Sequence, residues 1–464
     1  MSTQKLRSIF LLLSLTALVP ACKDDDPPLP DNTVQFEASE VGFTADQTDL
    51  EVKVNLDRTV AAATNVTVEL TPTGIAYGTH FTTTPAATNN TLTLTVPANT
   101  KATSFKVTKV ANLVLNGSET IDFTIKSVGT GLVIGQTAKE KLKFSSIISS
   151  GSALKLNGGA GGSSALNSVF VDFSSNSQTA IARNSWELGF FGGSDFRVII
   201  NATTGAAVKA LTKTDLAQVT AADTVALANT LILGQGQGTF DIIDNVDGDL
   251  SKTAIKEISA TDANNPVYIL NPGASGTGQK PWYKIRILRK GTGYTVQYAR
   301  ITETTFKTLD VTKDGNVNFS YVSLPQGKVV AGEPAKASWD IVWGLTTYKA
   351  TETIPYPYAD FVQINSLAGV QAAEILTSTG SYDAYAESNV AATPFKSDRN
   401  LIGGNWRTSA GPNGTPAGVK TDRFYVIKDA AGNVYKLKFI NYTSTDGGER
   451  GYPNIEYKLV KKGS

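Results

Sequence analysis

Chemistry that needs a thiol, a thioether or an imidazole has almost nothing to work with in this chain. Its 464 residues hold one cysteine, Cys22, one histidine, His80, and one methionine, Met1. A disulfide or a zinc–thiolate site needs more than one cysteine, and a Ser-His-Asp triad could be built only around His80. Aromatic rings are the richer resource. Tyr348, Tyr356 and Tyr358 fall in one short stretch with Pro355 and Pro357 between them, and prolines hold a segment extended with its side chains displayed. With Trp343 just upstream they form the ligand-binding candidates, offering flat faces to a ring-shaped ligand and hydroxyls for hydrogen bonds. Tyrosines that merely cover an apolar rim are the alternative. Asp340, Glu352, Asp360 and Asp383 lie nearby, but no spacing marks two of them as an acid/base pair. No catalytic residue and no metal ligand is assigned, and the chain is expected to hold things rather than transform them.

The elements that must position these residues are strands. Leu50, Val52, Val54 and Leu56 share one face of an alternating run, as do Val66, Val68 and Leu70, then Leu92, Leu94 and Val96, then Ile121, Phe123 and Ile125. Period-two runs split by Gly, Pro, Asn and Thr predict an antiparallel sandwich. Alternation continues downstream through Trp186, Leu188 and Phe190, and through Trp339, Ile341 and Trp343. Helix is confined to short pieces such as Asp215 to Leu227 and Ser251 to Ile258. The fold class is all-β: an immunoglobulin-like antiparallel sandwich, then a duplicated, mostly antiparallel β module with short helical decorations.

Duplication is read from three blocks. Ala182-Arg183-Asn184-Ser185-Trp186-Glu187-Leu188 returns as Ala335-Lys336-Ala337-Ser338-Trp339-Asp340-Ile341, 153 positions on. Val198-Ile199-Ile200-Asn201 returns as Val362-Gln363-Ile364-Asn365, and Trp282-Tyr283-Lys284-Ile285-Arg286 as Val434-Tyr435-Lys436-Leu437-Lys438, at offsets of 164 and 152. The larger middle offset places about eleven extra residues between Trp343 and Phe361, and the tyrosines fall in that insertion, read as a loop. The expected boundaries are 1–21 for a signal, 22–32 for an acidic and Pro-rich tether, 33–145 for the sandwich, 146–165 for a Ser-rich linker, and 166–316 and 317–464 for the two copies. Lys284 with Arg286, and Lys436 with Lys438, read as basic ladders on the wet face of hairpins. Asp314-Gly315 reads as a hairpin turn rather than part of an EF-hand loop, because Tyr321 stands where that loop needs glutamate.

At the N-terminus Lys5 and Arg7 precede an apolar run from Ile9 to Val19 that closes on Pro20-Ala21-Cys22. This has the form of a secretory signal, too short for a membrane span, and resembles a bacterial lipobox. The resemblance implies that Cys22 becomes the acylated first residue, anchoring the protein to the outer membrane. Asp24-Asp25-Asp26 after it resembles a surface-export tag. Net charge is +1, and −1 once Lys5 and Arg7 leave with the signal, so nothing provides an electrostatic footprint for nucleic acid.

Residues 33–145 resemble the Calx-beta family through Tyr77-Gly78-Thr79-His80-Phe81, Val96-Pro97-Ala98 and Asn116-Gly117-Ser118-Glu119. Members often bind calcium through clustered acids. Here His80 stands where aspartate is usual and Ala111-Asn112 fills a normally acidic stretch, so calcium is not expected. The downstream blocks resemble the HmuY-like haem-binding lipoproteins through Ser338-Trp339-Asp340-Ile341, Ile364-Asn365-Ser366-Leu367-Ala368-Gly369, Tyr435-Lys436-Leu437-Lys438-Phe439 and Gly451-Tyr452-Pro453. That resemblance implies a surface protein that captures haem for an outer-membrane receptor. Its axial histidines and methionines have no counterpart after His80, so a porphyrin could be held only without them. A glycan suits the aromatic platforms equally, and an adhesin or structural surface protein with no small ligand is the other reading.

Overall fold

The computed structural model describes residues 30–43, 47–110, 119–144, 148–234, 236–274, 280–408, 417–443 and 448–463. Cys22, the signal, Ala111-Asn112 and Asn116-Gly117-Ser118 lie outside them. Asp31–Ser464 forms one compact unit. No helix among the described residues is long and apolar enough to cross a membrane.

Ten strands come first: β1 (Asn32–Phe36), β2 (Glu40–Gly42), β3 (Asp49–Leu56), β4 (Thr64–Thr73), β5 (Phe81–Thr84), β6 (Thr91–Val96), β7 (Ala102–Lys109), β8 (Thr120–Val128), β9 (Leu132–Ile134) and β10 (Lys139–Lys143). They build two five-stranded sheets in the orders β5-β7-β3-β1-β9 and β2-β10-β8-β4-β6. The alternating residues named above all point into the core between the sheets. Strand geometry sends every second side chain to the same face, and each Val, Leu or Phe buried there contributes roughly 1.5–3 kcal/mol.

The rest of the chain supplies β11 (Gly151–Lys155), β12 (Asn167–Asp172), β13 (Ser177–Ala182), β14 (Leu188–Phe191), β15 (Val198–Ile200), β16 (Ala207–Ala210), β17 (Tyr268–Asn271), β18 (Tyr283–Lys290), β19 (Gly293–Arg300), β20 (Lys307–Val311), β21 (Phe319–Ser323), β22 (Lys328–Val330), β23 (Ile341–Thr351), β24 (Ile354–Ile364), β25 (Gln371–Leu376), β26 (Arg407–Thr408), β27 (Gly418–Val419), β28 (Arg423–Lys428), β29 (Val434–Thr443) and β30 (Arg450–Lys461). Sheets β15-β14-β21-β22 and β16-β17-β18-β19-β20 enclose one core, and sheets β13-β12-β23-β24 and β11-β30-β29-β28-β25 enclose another. The all-β expectation holds, with helix limited to short pieces such as Ala221–Leu227 and Glu387–Val390.

Strand pairing crosses the position 316/317 in both directions. The hairpin β12–β13 pairs with β23, Val171 opposite Ile341 and Val169 opposite Trp343. The hairpin β21–β22 pairs with β14, Val322 opposite Leu188. Matching hydrogen bonds secure both pairings. Asp340 N–H donates to Val171 O (2.7 Å) and Glu187 N–H to Val322 O (2.9 Å). Asp340 Oδ2 accepts from Phe173 N–H (2.8 Å), and Glu187 Oε2 from Leu324 N–H (2.9 Å). Asn201 Nδ2 donates to the carbonyls of Arg183 and Trp186, and Asn365 Nδ2 to those of Lys336 and Trp339.

Several expectations are corrected. The Ser-rich linker contains a strand: β11 adds to the edge of β30, with Leu154 and Leu156 buried, because an edge offers backbone groups that a passing segment can satisfy. The basic ladders are not uniformly wet. Lys284 and Lys436 are 2% and 8% exposed, and each ammonium donates to carbonyls of a segment folded across the outer sheet face: Val219 O for Lys284; Tyr382, Asp383 and Tyr385 O for Lys436. Asp314-Gly315 joins β20 to β21 in different sheets, so it is a connection between layers rather than a hairpin turn. The N-terminal sandwich also docks on the module. Gln178 Nε2 donates to Glu37 Oε1 (3.1 Å) and Asn176 Nδ2 to Glu40 O (2.8 Å), and Lys101 Nζ sits 3.5 Å from the centre of the Tyr452 ring.

Candidate functional site

The expected tyrosine loop is a pair of strands. β23 and β24 run antiparallel from Ile341 opposite Ile364 out to Thr351 opposite Ile354, with Tyr348 directly across from Tyr356. Proline at 355 and 357 is compatible with this, since β24 is an edge strand and an edge tolerates missing N–H groups. Between Gly344 and Thr346 the register shifts, a β-bulge that puts Ala359 and Asp360 opposite the single residue Leu345. Asp360 adopts φ 51°, a conformation open to Asp through its short polar side chain. Its buried carboxylate accepts from Arg450 Nε (2.9 Å) and Nη2 (2.5 Å) and from Tyr442 OH (3.3 Å), and its carbonyl from Trp406 Nε1 (2.9 Å). Arg407 lies 3.7 Å from the same carboxylate and donates to Ala359 O. This clamp fixes where the outer hairpin points.

Outside the clamp, Tyr348, Tyr358, Phe361, Leu401 and Gly404 are among the residues lining a notch of about 380 Å³. The rings meet mostly edge-on: Tyr348–Tyr358 at 6.0 Å, Tyr358–Phe361 at 5.9 Å and Tyr356–Tyr358 at 5.1 Å between centroids. Tyr356 buttresses Tyr358 and does not itself line the notch. The hydroxyls of Tyr348 and Tyr358 make no hydrogen bond among the described residues. Gly404 leaves open space where a side chain would stand, while Gly403, at φ 53°, sits under the Phe361 ring where a Cβ would crowd it. Burial, with Asp247 close by, raises the Tyr348 pKa, which disfavours a tyrosinate there.

Trp343 is corrected outright. It is fully buried in the core between β23 and the facing sheet, with its ring against Gly158, and no ligand can reach it. Alternation decides this: Trp343 shares a face with Ile341, and that face is the core.

A second concavity, about 170 Å³, lies between the two module sandwiches. Trp186, Phe170, Tyr321, Trp339 and Val342 are in its walls and Arg399 stands at its side. Trp339 packs edge-on to Phe170 of β12 (5.0 Å) and Trp186 to Tyr321 of β21 (4.6 Å). Sequence periodicity places these tryptophans on strand-like runs and says nothing of the space between them. Their equivalence in the two blocks was the signal that they face each other's partner hairpin; nothing in the sequence pointed to Arg399. Among the described residues no cluster of His, Cys, Asp or Glu could hold a metal ion.

A family model described as HmuY protein matches residues 164–457. No curated protein matches the chain. Among solved structures, an apo Calx CBD1 domain is 14% identical over 25% of this chain and 98% of its own, with a TM-score of 0.22. A putative carbohydrate binding protein from Bacteroides ovatus is 10% identical over 93% of this chain and 99% of its own, TM-score 0.19. Apo PinO from Porphyromonas gingivitis is 17% identical over 34% of this chain and 87% of its own, TM-score 0.13. At these TM-scores none of the three bears on fold or ligand.

Proposed function

The chain belongs to the HmuY protein family, and on that premise we propose that it is a non-enzymatic surface lipoprotein, anchored through acylated Cys22, that binds a ring-shaped ligand on the tyrosine notch. A saccharide is the favoured ligand. The observation that carries this is the pairing, on one projecting hairpin, of aromatic rings with two uncommitted phenol hydroxyls, Tyr348 and Tyr358. A sugar ring presents an apolar face and a rim of hydroxyls, and an aromatic wall with free hydroxyls matches both. A porphyrin, the ligand suggested by the family, would need an iron ligand other than histidine or methionine. Tyrosine is the one residue type present in the notch that ligates iron, and the raised pKa of Tyr348 works against it. We read the two module sandwiches as copies of one unit that have exchanged their opening hairpins, with the N-terminal sandwich as the spacer between lipid and site.

Titrating the purified protein with an oligosaccharide panel and, separately, with hemin tests this reading. Saccharide binding is expected to weaken about two- to tenfold in Tyr358→Ala, since one aromatic contact contributes roughly 0.5–1.5 kcal/mol. Unchanged affinity in that variant removes the notch as the site. A Soret shift on adding hemin, lost in Tyr348→Phe or Tyr358→Phe, transfers the site to a porphyrin.

A further inference from the structure

We propose that the cavity between the two module sandwiches, which shares Phe361 with the notch, is a second binding site, and that it takes a small aromatic carboxylate, with the ring between the tryptophans and the carboxylate on Arg399. Size sets the first limit. A cavity of about 150 Å³ lined by apolar side chains holds benzene, and this one measures about 170 Å³, enough for a single ring with a short polar group.

Wall chemistry selects the ring. Phe170, Trp186, Tyr321 and Trp339 surround the space with aromatic surface, which favours edge-on and offset contacts with another ring. Hydrogen-bond accounting selects the polar group. Among the wall's side-chain acceptors, Asp244 is engaged by the N–H groups of Ile200 (2.7 Å) and Ala254 (2.9 Å), Asn365 Oδ1 by Asn318 (2.9 Å), and Gln363 Oε1 by Arg399 (2.9 Å). Spare donors stand beside them. Arg399 carries five N–H donors, and the bond to Gln363 is its one side-chain hydrogen bond among the described residues. Asp244, Asp247 and Asp398 act on its charge from nearby, yet none of them forms an ion pair with it. A half-buried guanidinium with spare donors in a fork is matched by a carboxylate, which accepts two of them at once.

Tryptophan fluorescence read during benzoate titration tests this, with benzyl alcohol as the neutral analogue of similar size. Saturable quenching by benzoate is expected, at least tenfold tighter than any response to benzyl alcohol. Arg399→Gln should weaken benzoate at least tenfold, and Val342→Phe, which fills the cavity and leaves Arg399 in place, should abolish binding. Tyr358→Ala should leave benzoate binding unchanged, which separates this site from the notch. The proposal is overturned if benzoate gives no saturable response, if benzyl alcohol binds as well, or if both Arg399→Gln and Val342→Phe bind benzoate like the parent chain.

Discussion

Two hairpins grow from the same kind of base and end differently. β14–β15 and β23–β24 each begin beside a tryptophan, a buried carboxylate and a hairpin distant in sequence, and each closes on an asparagine that ties back to the strand entry. β14 then stops after Leu188–Phe191, whereas β23 runs on through Ile341–Thr351 and carries the tyrosines outward. What the hairpins share serves the fold. The surplus length in one of them supplies an uncommitted aromatic surface, and it needs its own anchor, the Asp360 clamp.

The clamp is where the comparison breaks most severely. Asp360→Ala would leave Arg407 and Arg450 facing each other around a buried vacancy, and losing one partner of a buried charge cluster costs about 3–5 kcal/mol. Urea denaturation should show a loss of that order. A change below about 1 kcal/mol would mean that the long hairpin is held by strand pairing alone.

The hairpins β12–β13 and β21–β22 are also tied down with opposite polarity. Arg183 donates to Ala165 O (2.6 Å) and Ser164 O (3.1 Å) near β12, whereas Glu333 accepts from Asn318 N–H (2.5 Å) and Phe319 N–H (2.9 Å) at β21. Burial pushes the Glu333 pKa from 4.5 up to about 7. A carboxyl raised in the folded state keeps a proton that the unfolded chain has released. Its contribution is therefore full below about pH 4.5 and is lost as pH climbs to about 7, on the order of 3 kcal/mol. Stability against pH should flatten over that window in Glu333→Gln; an identical slope in the variant would reassign the pH dependence to other groups.

Glu187 and Asp340 occupy matching places with unlike surroundings. Lys280 Nζ lies 2.8 Å from Glu187, which is 1% exposed, while Asp340 has no cationic partner among the described residues and is pushed well above the usual carboxylate range, by burial first and then by Asp172. Replacing Glu187 by Gln removes a charge-assisted bond and should cost about 1.5–3 kcal/mol. Asp340→Asn keeps a neutral acceptor for Phe173 N–H and should change the free energy of unfolding by less than about 1 kcal/mol. Equal costs would erase the asymmetry between the sandwiches.

Much of this was legible beforehand. Leu50 through Leu56, and Trp186 through Phe190, announce strands because a side chain's face follows from position along its own strand, and the matched blocks point to matched sheets. The tyrosine cluster was visible as composition, though as a loop. Lys284 and Lys436 were misplaced because alternation says which side of a strand a residue faces, not whether another segment will cover that side.

Periodicity is a local property, so the linear order of residues sufficed for the β class, the scarcity of thiol and imidazole chemistry, and the aromatic character of the inserted hairpin. The partner of each strand is a property of the whole chain. Only the folded arrangement decided that β12 crosses to β23 and β21 to β14, that Trp343 is sealed while Tyr348 and Tyr358 line a notch, and that Arg399 lines the same cavity as the two tryptophans. Those choices depend on backbone groups and apolar faces finding partners far away in sequence, and the free energy of such pairings is not written in any single segment.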